Sequence, residues 1–301
     1  MVAGKFTFVT KVKTFSLFAL FFGAFNAGCV AIPQQNQIIE KGCYQQGMEA
    51  IATSERAPFA SNSSPFYSYP TPINSDSFFI LSWNIYKGQE ENWAGDLFRL
   101  SADQDIVLLQ EASLNEELHE ILNHHDLCWG LNNAFIYNGV ETGVLMASKI
   151  PPLDSIGLRH IEPLIRVSKT ILINRYPLSG TSSTLMVANI HGINFTLGTR
   201  SYKKQLAEMQ KILSTHSGPL IVAGDFNNWS RERTKIMHEM AAALSLMRLK
   251  YESSDQSERF GGNVDHIFYR GLEPLSHSYL QVSSSDHNPI SAQFRVTEKK
   301  R

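Results

Sequence analysis

The sequence predicts an α+β fold in which two mostly antiparallel β-sheets pack face to face and helices cover their outer surfaces. Segments with strand character outnumber helical ones, and several follow one another with no helix between them. That order favours two packed sheets over one parallel sheet wound with alternating helices. The 301 residues can bury a sizeable core, and 43% hydrophobic and 18% charged residues are typical of a globular protein.

The first 29 residues have the layout of an export signal. Lys5, Lys11 and Lys13 precede an apolar stretch over 15–25, and small residues follow it. Residues 1–29 are therefore expected to be a signal peptide or a membrane anchor. The run 27–29, which ends in Cys29, also resembles a bacterial lipoprotein cleavage site. The protein is expected in the periplasm or envelope, associated with the membrane through its N-terminus; the alternative is a buried helix in a cytoplasmic protein.

Residues 30–77 are expected to be a tether and a lead-in, because Ser, Pro and Asn interrupt any regular period in much of this region. The folded domain is expected over 78–297. Cys128 stands between apolar residues and is expected to be a buried free thiol, with pairing to Cys43 as the alternative. The spacing of the cysteines matches neither a zinc site nor a redox pair.

The strands are predicted from short apolar runs that end in polar or turn residues. In chain order they cover 78–86, 105–111, 143–148, 168–173, 185–191, 220–223, 264–269 and 289–294.

The helices are predicted from apolar residues at helical spacing, as in the third helix, where Leu206, Met209 and Leu213 share one face. The four segments are 91–100, 115–123, 201–213 and 229–249.

The basic residues of the last two predicted helices form either a substrate groove or solvated helix faces. Arg231 and Arg233 are the better candidates for substrate contact, because they follow a motif at 224–227.

That motif ends the apolar run 220–223, which is typical of a strand buried on both faces. Gly224 lets the backbone leave the strand where a Cβ would interfere. Asp225 and Asn227 then project to the same side, because residues two apart in an extended chain do so. Alone, these residues are equally typical of a turn.

Other predicted strands and one loop carry polar residues that a buried core does not favour. Each has an ordinary explanation, as a turn residue, a helix cap, a core histidine or half of an ion pair. Together they make chemical sense, because carboxylates suit Mg²⁺ or Mn²⁺ and histidines transfer protons near neutral pH. The positions are Asn84, Glu111, His191, Asp225, Asn227, Asp265, Asp286 and His287.

These positions resemble the motifs of the endonuclease/exonuclease/phosphatase superfamily, in the family's order and over about residues 78–297. The resemblance implies the DNase I-like four-layer α/β sandwich. The matching segments are Ser82-Trp83-Asn84, Leu109-Gln110-Glu111, Asn189-Ile190-His191, Gly224-Asp225-Phe226-Asn227, Val264-Asp265-His266 and Ser285-Asp286-His287-Asn288-Pro289.

The resemblance also implies a division of roles among these residues. Glu111 would bind the divalent cation, with Asn84 and Asp286 nearby, and the cation would be Mg²⁺ or Mn²⁺. The cation would polarise the scissile phosphate and neutralise developing charge.

Catalysis would fall to the other members of the set. Asp225 would position the attacking water, and Asn227 would bond a phosphoryl oxygen. His287, paired with Asp265, and His191 would contact the phosphate and stabilise the transition state. The general base stays open. Arg166 or Lys169 would supply a further phosphate contact.

The function expected from this resemblance is a metal-dependent phosphodiesterase, most of all a nuclease, that acts as a monomer. Hydrolysis of phospholipid or sphingomyelin head groups is the alternative, which a membrane tether would suit. A non-catalytic binding protein on the same fold is the second alternative. The net charge of −1 gives no global basic field, so any nucleic-acid contact would be local.

Overall fold

A computed structural model of the protein describes residues 30–41, 72–250 and 264–297, so the expected export signal at 1–29 lies outside the described residues. Helices and strands alternate irregularly along these ranges. In chain order they are β1 (Val30–Ala31), β2 (Ile38–Lys41), β3 (Phe78–Asn84), α1 (Trp93–Ser101), β4 (Ile106–Ser113), α2 (Glu116–His124), β5 (Cys128–Tyr137), β6 (Val140–Ser148), β7 (Asp154–Ile161), β8 (Ser168–Pro177), β9 (Thr184–His191), α3 (Arg200–Leu213), β10 (Leu220–Asp225), α4 (Arg231–Ala243), β11 (Met247–Arg248), β12 (Asp265–Arg270), β13 (Leu272–Tyr279) and β14 (Ile290–Val296).

The strands form two sheets, as predicted. One sheet has the order β1-β5-β6-β4-β3-β14-β13, with β2 also paired to β5, and the other has the order β11-β12-β10-β9-β8-β7. Strands β3 and β4 are parallel, as are β9 and β10, and the remaining pairs within the described ranges are antiparallel. The two parallel pairs lie inside their sheets, and both supply residues to the site described below.

Three apolar cores hold four layers together. The central core lies between the sheets and contains Ile80 from one sheet and Ile221 from the other. A second core joins α1 and α2 to the first sheet, with Leu97 and Leu118 among its members. A third joins α3 and α4 to the second sheet. The predicted α/β four-layer sandwich is therefore confirmed.

Strand β10 shows why the run at 220–223 is continuously apolar. Ile221 and Ala223 belong to the central core between the sheets, whereas Leu220 and Val222 belong to the core under α3 and α4. Both faces of the strand are covered, so no position favours a polar residue until the strand ends. This confirms the predicted strand and its two-sided burial.

The prediction missed β5, β7 and β13. Strands β7 and β13 are edge strands of their sheets, and most of their residues are partly or fully exposed, so they lack an apolar pattern. Strand β5 contains Asn132, whose side-chain amide donates to the carbonyl oxygens of Leu158 and Ile171 in the other sheet. The predicted helix over 229–249 was too long, because α4 ends at Ala243 and the chain turns into β11.

The region expected as a lead-in contributes to the sheet. Strands β1 and β2 both pair with β5, and Ile73 is buried beside Leu178.

Cys128 is disulfide-bonded, so the expectation of a free thiol is wrong. Among the helices of the described ranges, none has the length and apolar character needed to cross a membrane.

Candidate active site

The register of the second sheet places three polar side chains beside one another. Asp225, the last residue of β10, lies opposite His191 on β9 and opposite Asp265 on β12. Neighbouring strands are roughly 4.8 Å apart, so these side chains emerge at one edge of the sheet within contact distance. The parallel pairing of β9 and β10 is what brings the two carboxyl ends together.

The first sheet presents Asn84 and Glu111 at the corresponding edge. Asn84 ends β3 and lies opposite Gln110 on β4. The pairing of β4 with β6 is irregular between Leu109 and Ala112, and Glu111 has a φ of 51° in this interval. A positive φ costs a non-glycine residue free energy, and such residues are concentrated at functional sites. The irregularity turns Glu111 away from the strand and towards the other sheet.

Buried amides join the two sheets directly beneath the site. Gln110 donates from Nε2 to Oδ1 of Asn189 over 2.6 Å, and Asn189 donates to the carbonyl oxygen of Leu109 over 3.0 Å. Gly224 lies in the same layer with a φ of 134°, where a Cβ would come within 2.1 Å of the Ile190 carbonyl oxygen. Glycine is thus required at 224 by both close approach and backbone conformation.

The carboxylate of Asp225 is held from several directions. Its Oδ2 accepts from Nδ2 of Asn84 over 3.2 Å and from Nδ2 of Asn227 over 3.1 Å. Its Oδ1 accepts from the backbone N–H of Asn227 over 2.9 Å. The Nε2 atoms of His191 and His287 lie 3.4 Å and 3.9 Å from Oδ2. A carboxylate held this way has one orientation, which is what a water-positioning group needs.

Asn227 uses both of its amide hydrogens inside the protein. Its Nδ2 donates to Asp225 and, over 3.1 Å, to the carbonyl oxygen of Gly192. Its backbone has a φ of 48°, so the chain turns sharply after the strand. A substrate oxygen that accepts from this amide would have to replace one of these two bonds.

Asp265 and His287 form a close pair at the edge of the site. Nδ1 of His287 lies 2.7 Å from Oδ2 of Asp265. Burial disfavours the imidazolium, but the charges of Asp265 and Asp225 outweigh it, so the pKa of His287 lies well above its ordinary value. Burial raises the pKa of Asp225 to about 6, with the charge of His287 opposing the rise. Near neutral pH the arrangement therefore favours a charged His287 facing an ionised Asp225.

Positive groups surround Glu111. Its carboxylate forms an ion pair with Lys87, and its Oε1 lies 3.7 Å from Nζ of Lys169 and 3.7 Å from Nε2 of His191. Burial opposes ionisation, yet the charges of Lys87, Lys169 and His191 together hold the pKa of Glu111 well below its ordinary range. Glu111 is therefore ionised at neutral pH, and Lys87 and Lys169 already compensate its negative charge.

His191 has the opposite electrostatic character to His287. Burial, and then the charge of Lys169, hold the pKa of His191 well below its ordinary value. Nζ of Lys169 lies 2.6 Å from Nε2 of His191, so the neutral imidazole can accept a hydrogen bond from the ammonium group. One histidine of the site is thus neutral and the other is charged.

The donor set around Glu111 fits a hard divalent cation. Glu111 and Asp286 offer carboxylate oxygens and Asn84 offers an amide oxygen, the ligand types that Mg²⁺ and Mn²⁺ prefer. Burial raises the pKa of Asp286, and the negative charge of Glu111 adds to the rise. A cation between these two carboxylates would remove that repulsion. These three residues would hold it.

A second group in the described residues could also hold an ion. Ligand atoms of Asp225, Asp265 and His287 lie within 4.8 Å of one another. However, Nδ1 of His287 already bonds Asp265, and both oxygens of Asp225 accept hydrogen bonds from amides. This group therefore fits proton transfer and water orientation as well as metal binding. The oxygens of the other donor set are engaged too, because Glu111 pairs with Lys87 and Oδ1 of Asn84 accepts from the backbone N–H of Tyr86. Both groups are candidate cation sites.

The structure brings eight predicted residues into one cluster, hereafter the strand-end cluster. Lys169, predicted as a phosphate contact, lies beside it, next to Glu111 and His191. Arg166 is exposed in the turn that joins β7 to β8, and its backbone N–H donates to the Glu162 carbonyl oxygen. The members of the strand-end cluster are Asn84, Glu111, His191, Asp225, Asn227, Asp265, Asp286 and His287.

Sequence reasoning missed Lys87 and misassigned Arg233. Lys87 directly follows the predicted strand 78–86, and its pairing with Glu111 depends on a tight turn at 86–88 that no sequence pattern indicated. Arg233 is fully buried and donates to backbone carbonyl oxygens, including that of Asn227. It therefore cannot contact substrate from the helix surface, as had been expected. Arg231 is exposed, so only that part of the expectation stays open.

Comparison with known proteins identifies relatives in sequence and in structure. A sequence model described as the endonuclease/exonuclease/phosphatase family matches residues 81–287. A UPF0294 protein of Klebsiella pneumoniae (strain 342) is 37% identical over 232 residues, which cover 77% of this chain and 87% of that protein.

Two solved structures show the same fold. The catalytic domain of human nocturnin with a bound sulfate anion has a TM-score of 0.58 at 17% identity, covering 76% of this chain and 97% of that one. TDP2 of D. rerio, complexed with a single-strand DNA product, has a TM-score of 0.53 at 20% identity, covering 73% and 99%. At such identities the likeness shows the fold alone.

Proposed function

Because this chain belongs to the endonuclease/exonuclease/phosphatase family, whose members hydrolyse phosphodiester or phosphate bonds, we propose that it is a phosphodiesterase acting on nucleic acid with a divalent cation. The observation that carries the proposal is the buried carboxylate of Asp225, oriented by Asn84 and Asn227 between two histidines. A carboxylate fixed in this way can orient a water molecule and accept its proton.

The chain's own residues divide the work by charge. Asp225, whose pKa is about 6, is ionised at neutral pH and aligns the attacking water. The imidazolium of His287, held by Asp265, offers its Nε2 proton to a phosphoryl oxygen as negative charge develops there. Lys169 adds a positive charge beside the neutral His191.

Glu111, Asn84 and Asp286 would hold the divalent cation, Mg²⁺ or Mn²⁺. When bound there, such a cation would polarise the scissile phosphate and neutralise developing charge. Lys87 pairs with Glu111 in the structure, so its ammonium group would have to move aside or share the carboxylate. The strain at Glu111, with its φ of 51°, is consistent with a backbone held for ligand binding rather than for stability.

Nucleic acid is the proposed substrate class. TDP2, one of the proteins with this fold, was solved with a single-strand DNA product. We also propose that the protein works outside the cytoplasm, anchored or exported through residues 1–29. The disulfide at Cys128 supports this location, because disulfides persist mainly in oxidising compartments.

A substrate panel tests the proposal. The full protein would be assayed with Mg²⁺ or Mn²⁺ against single- and double-stranded DNA, RNA, sphingomyelin and a lysophospholipid. We expect hydrolysis of a nucleic acid that EDTA stops and that Asp225→Asn lowers on the order of 10³-fold or more.

The exposed residue Asp103 provides a matched control, and Asp103→Asn should retain full activity. If only sphingomyelin or the lysophospholipid were hydrolysed, the substrate class would be phospholipid rather than nucleic acid. Equal activity in Asp225→Asn and wild type would exclude this mechanism altogether.

A further inference from the structure

Trp229 differs from every other tryptophan of the chain in its exposure. The sequence contains 4 tryptophans. Trp83, Trp93 and Trp129 are buried at 1%, 5% and 6% exposure, whereas Trp229 is 52% exposed. Half of a large aromatic surface in contact with water costs free energy, which an aromatic or apolar ligand would recover.

The exposed ring is held in one orientation. Nε1 of Trp229 donates to Oδ1 of Asn194 over 2.9 Å. The guanidinium carbon of Arg233 lies over the ring, 4.4 Å from its centroid. Arg233 is itself fully buried, and it donates to the carbonyl oxygens of Asn227 over 2.9 Å and Asn194 over 2.8 Å. The ring therefore rests on a cation that is fixed to the backbone of the strand-end cluster.

This position is next to the proposed phosphoryl contact. Trp229 follows Asn227 by two residues, so their Cα atoms are at most roughly 7 Å apart. Arg233 bonds the backbone of Asn227 and stacks on Trp229, so the two side chains keep a fixed relation. The ring of Trp229 is thus tied, through Asn194 and Arg233, to the two backbone segments that hold Asn227 in place.

We infer that Trp229 stacks on a nucleobase next to the scissile phosphodiester, which assigns an unpaired nucleic-acid strand as the substrate. This inference rests on the proposed phosphodiesterase function. Every base has a flat π-face, so such stacking tolerates any sequence, but it needs a base whose face is not covered by its neighbours in a duplex. Because the ring is already fixed, little side-chain entropy is lost when a base stacks on it.

A membrane surface is the competing partner. Leu164 and Leu197, at 48% and 84% exposure, are apolar side chains on nearby loops. The orientation of Trp229 favours a base, because its polar edge is occupied by Asn194 and its ring is supported by Arg233. The experiments below include vesicles so that the two partners give different results.

The first experiment compares single-stranded oligonucleotides that carry bases with oligonucleotides that carry one abasic nucleotide beside the cleaved bond. For wild type, KM should be lower for the oligonucleotide with the base than for the abasic one. In Trp229→Ala the ratio of these two KM values should shrink about tenfold. Trp229→Phe should restore most of it. Phe79→Ala is the matched control, because Phe79 is 37% exposed at the opposite end of β3 from Asn84. An unchanged preference in Trp229→Ala overturns the inference.

The second experiment measures binding without turnover. In EDTA, a single-stranded oligonucleotide should quench the tryptophan fluorescence of wild type. The quenching should come from Trp229, because the other three tryptophans are buried. Trp229→Ala should weaken binding about tenfold, as followed by anisotropy of a labelled oligonucleotide. The inference would be overturned in favour of a membrane if Trp229→Ala bound the oligonucleotide as tightly as wild type but no longer sedimented with anionic phospholipid vesicles. If wild type hydrolysed no substrate, the proposed function would be wrong. The binding titration would still test the stacking, because it needs no hydrolysis.

Discussion

The side-chain amide of Asn84 donates to Oδ2 of Asp225 over 3.2 Å, and this bond joins the ends of two strands that belong to different sheets. Both residues are buried, at 2% exposure each. The bond fixes the carboxylate relative to the first sheet, from which the proposed metal ligands come. Together with the bond from Gln110 to Asn189 beneath it, this contact fixes the relative position of the two halves of the strand-end cluster.

Asn84→Ala should lower kcat on the order of 10²-fold, because Asp225 would lose the contact that sets its position. The lost buried bonds should also reduce the free energy of unfolding by about 1–3 kcal/mol. Asn174→Ala is the matched control: Asn174 is buried in β8 and donates to Tyr176. Both variants should lose stability in denaturant titrations. If their kcat values fall equally, the position of Asp225 does not depend on Asn84.

Asp265→Asn and His287→Gln should each lower kcat/KM strongly, and the double variant should lose little more than either one. The reason is the 2.7 Å contact between Nδ1 of His287 and Oδ2 of Asp265, which makes the pair one functional unit. A double-mutant cycle on kcat/KM measures the coupling. Additive losses would show that the two residues act separately.

Mg²⁺ should stabilise the folded protein, and Glu111→Gln should abolish most of that effect. A cation present at about 100 times its Kd stabilises the native state by about 2.7 kcal/mol. The measurement is the change in Tm with added Mg²⁺, which needs no substrate. Glu120→Gln changes an exposed carboxylate on α2 and should keep the full shift. Equal shifts in wild type and Glu111→Gln would place the ion elsewhere.

Arg233→Met should reduce the free energy of unfolding by about 3 kcal/mol or more, because it leaves several buried carbonyl oxygens without a donor. Arg231→Met, at the exposed start of the same helix, should change it by less than about 0.5 kcal/mol. Urea titrations of both variants make the comparison. Similar losses would contradict the anchoring role given to Arg233.

His160 should make stability depend on pH in slightly acidic solution. Burial lowers the pKa of His160 below 6.5, although Glu208 opposes the shift. The unfolded chain then binds more protons than the folded one, so this contribution is present above pH 6.5 and is lost as pH falls towards the folded pKa. His160→Gln should flatten the pH dependence of the unfolding free energy by at most roughly 1.4 kcal/mol per pH unit. The exposed His238→Gln is the control, and an equal slope in wild type and His160→Gln would contradict the prediction.

Much of the fold could be predicted because buried strands have a local signature. The run at 220–223 is apolar at every position since both faces of β10 are covered, and the amphipathic helices show their buried side at helical spacing. Strands β7 and β13 could not be predicted in this way, because an exposed edge strand is held by backbone pairing rather than by an apolar face.

The sequence by itself determined the family, the positions of most buried strands along the chain and the polar residues at their ends, because motif order and hydrophobic pattern are local properties. The family resemblance implied that His287 pairs with Asp265 and that Asn84 and Asp286 lie near Glu111. Tertiary structure alone decided the other contacts of these residues. It joined Lys87 and Lys169 to Glu111, left Arg166 in an exposed turn, and buried Arg233 beneath Trp229. The physical reason is that strand register, the bend at Glu111 and the packing of one sheet on the other arise from contacts between residues far apart in the chain.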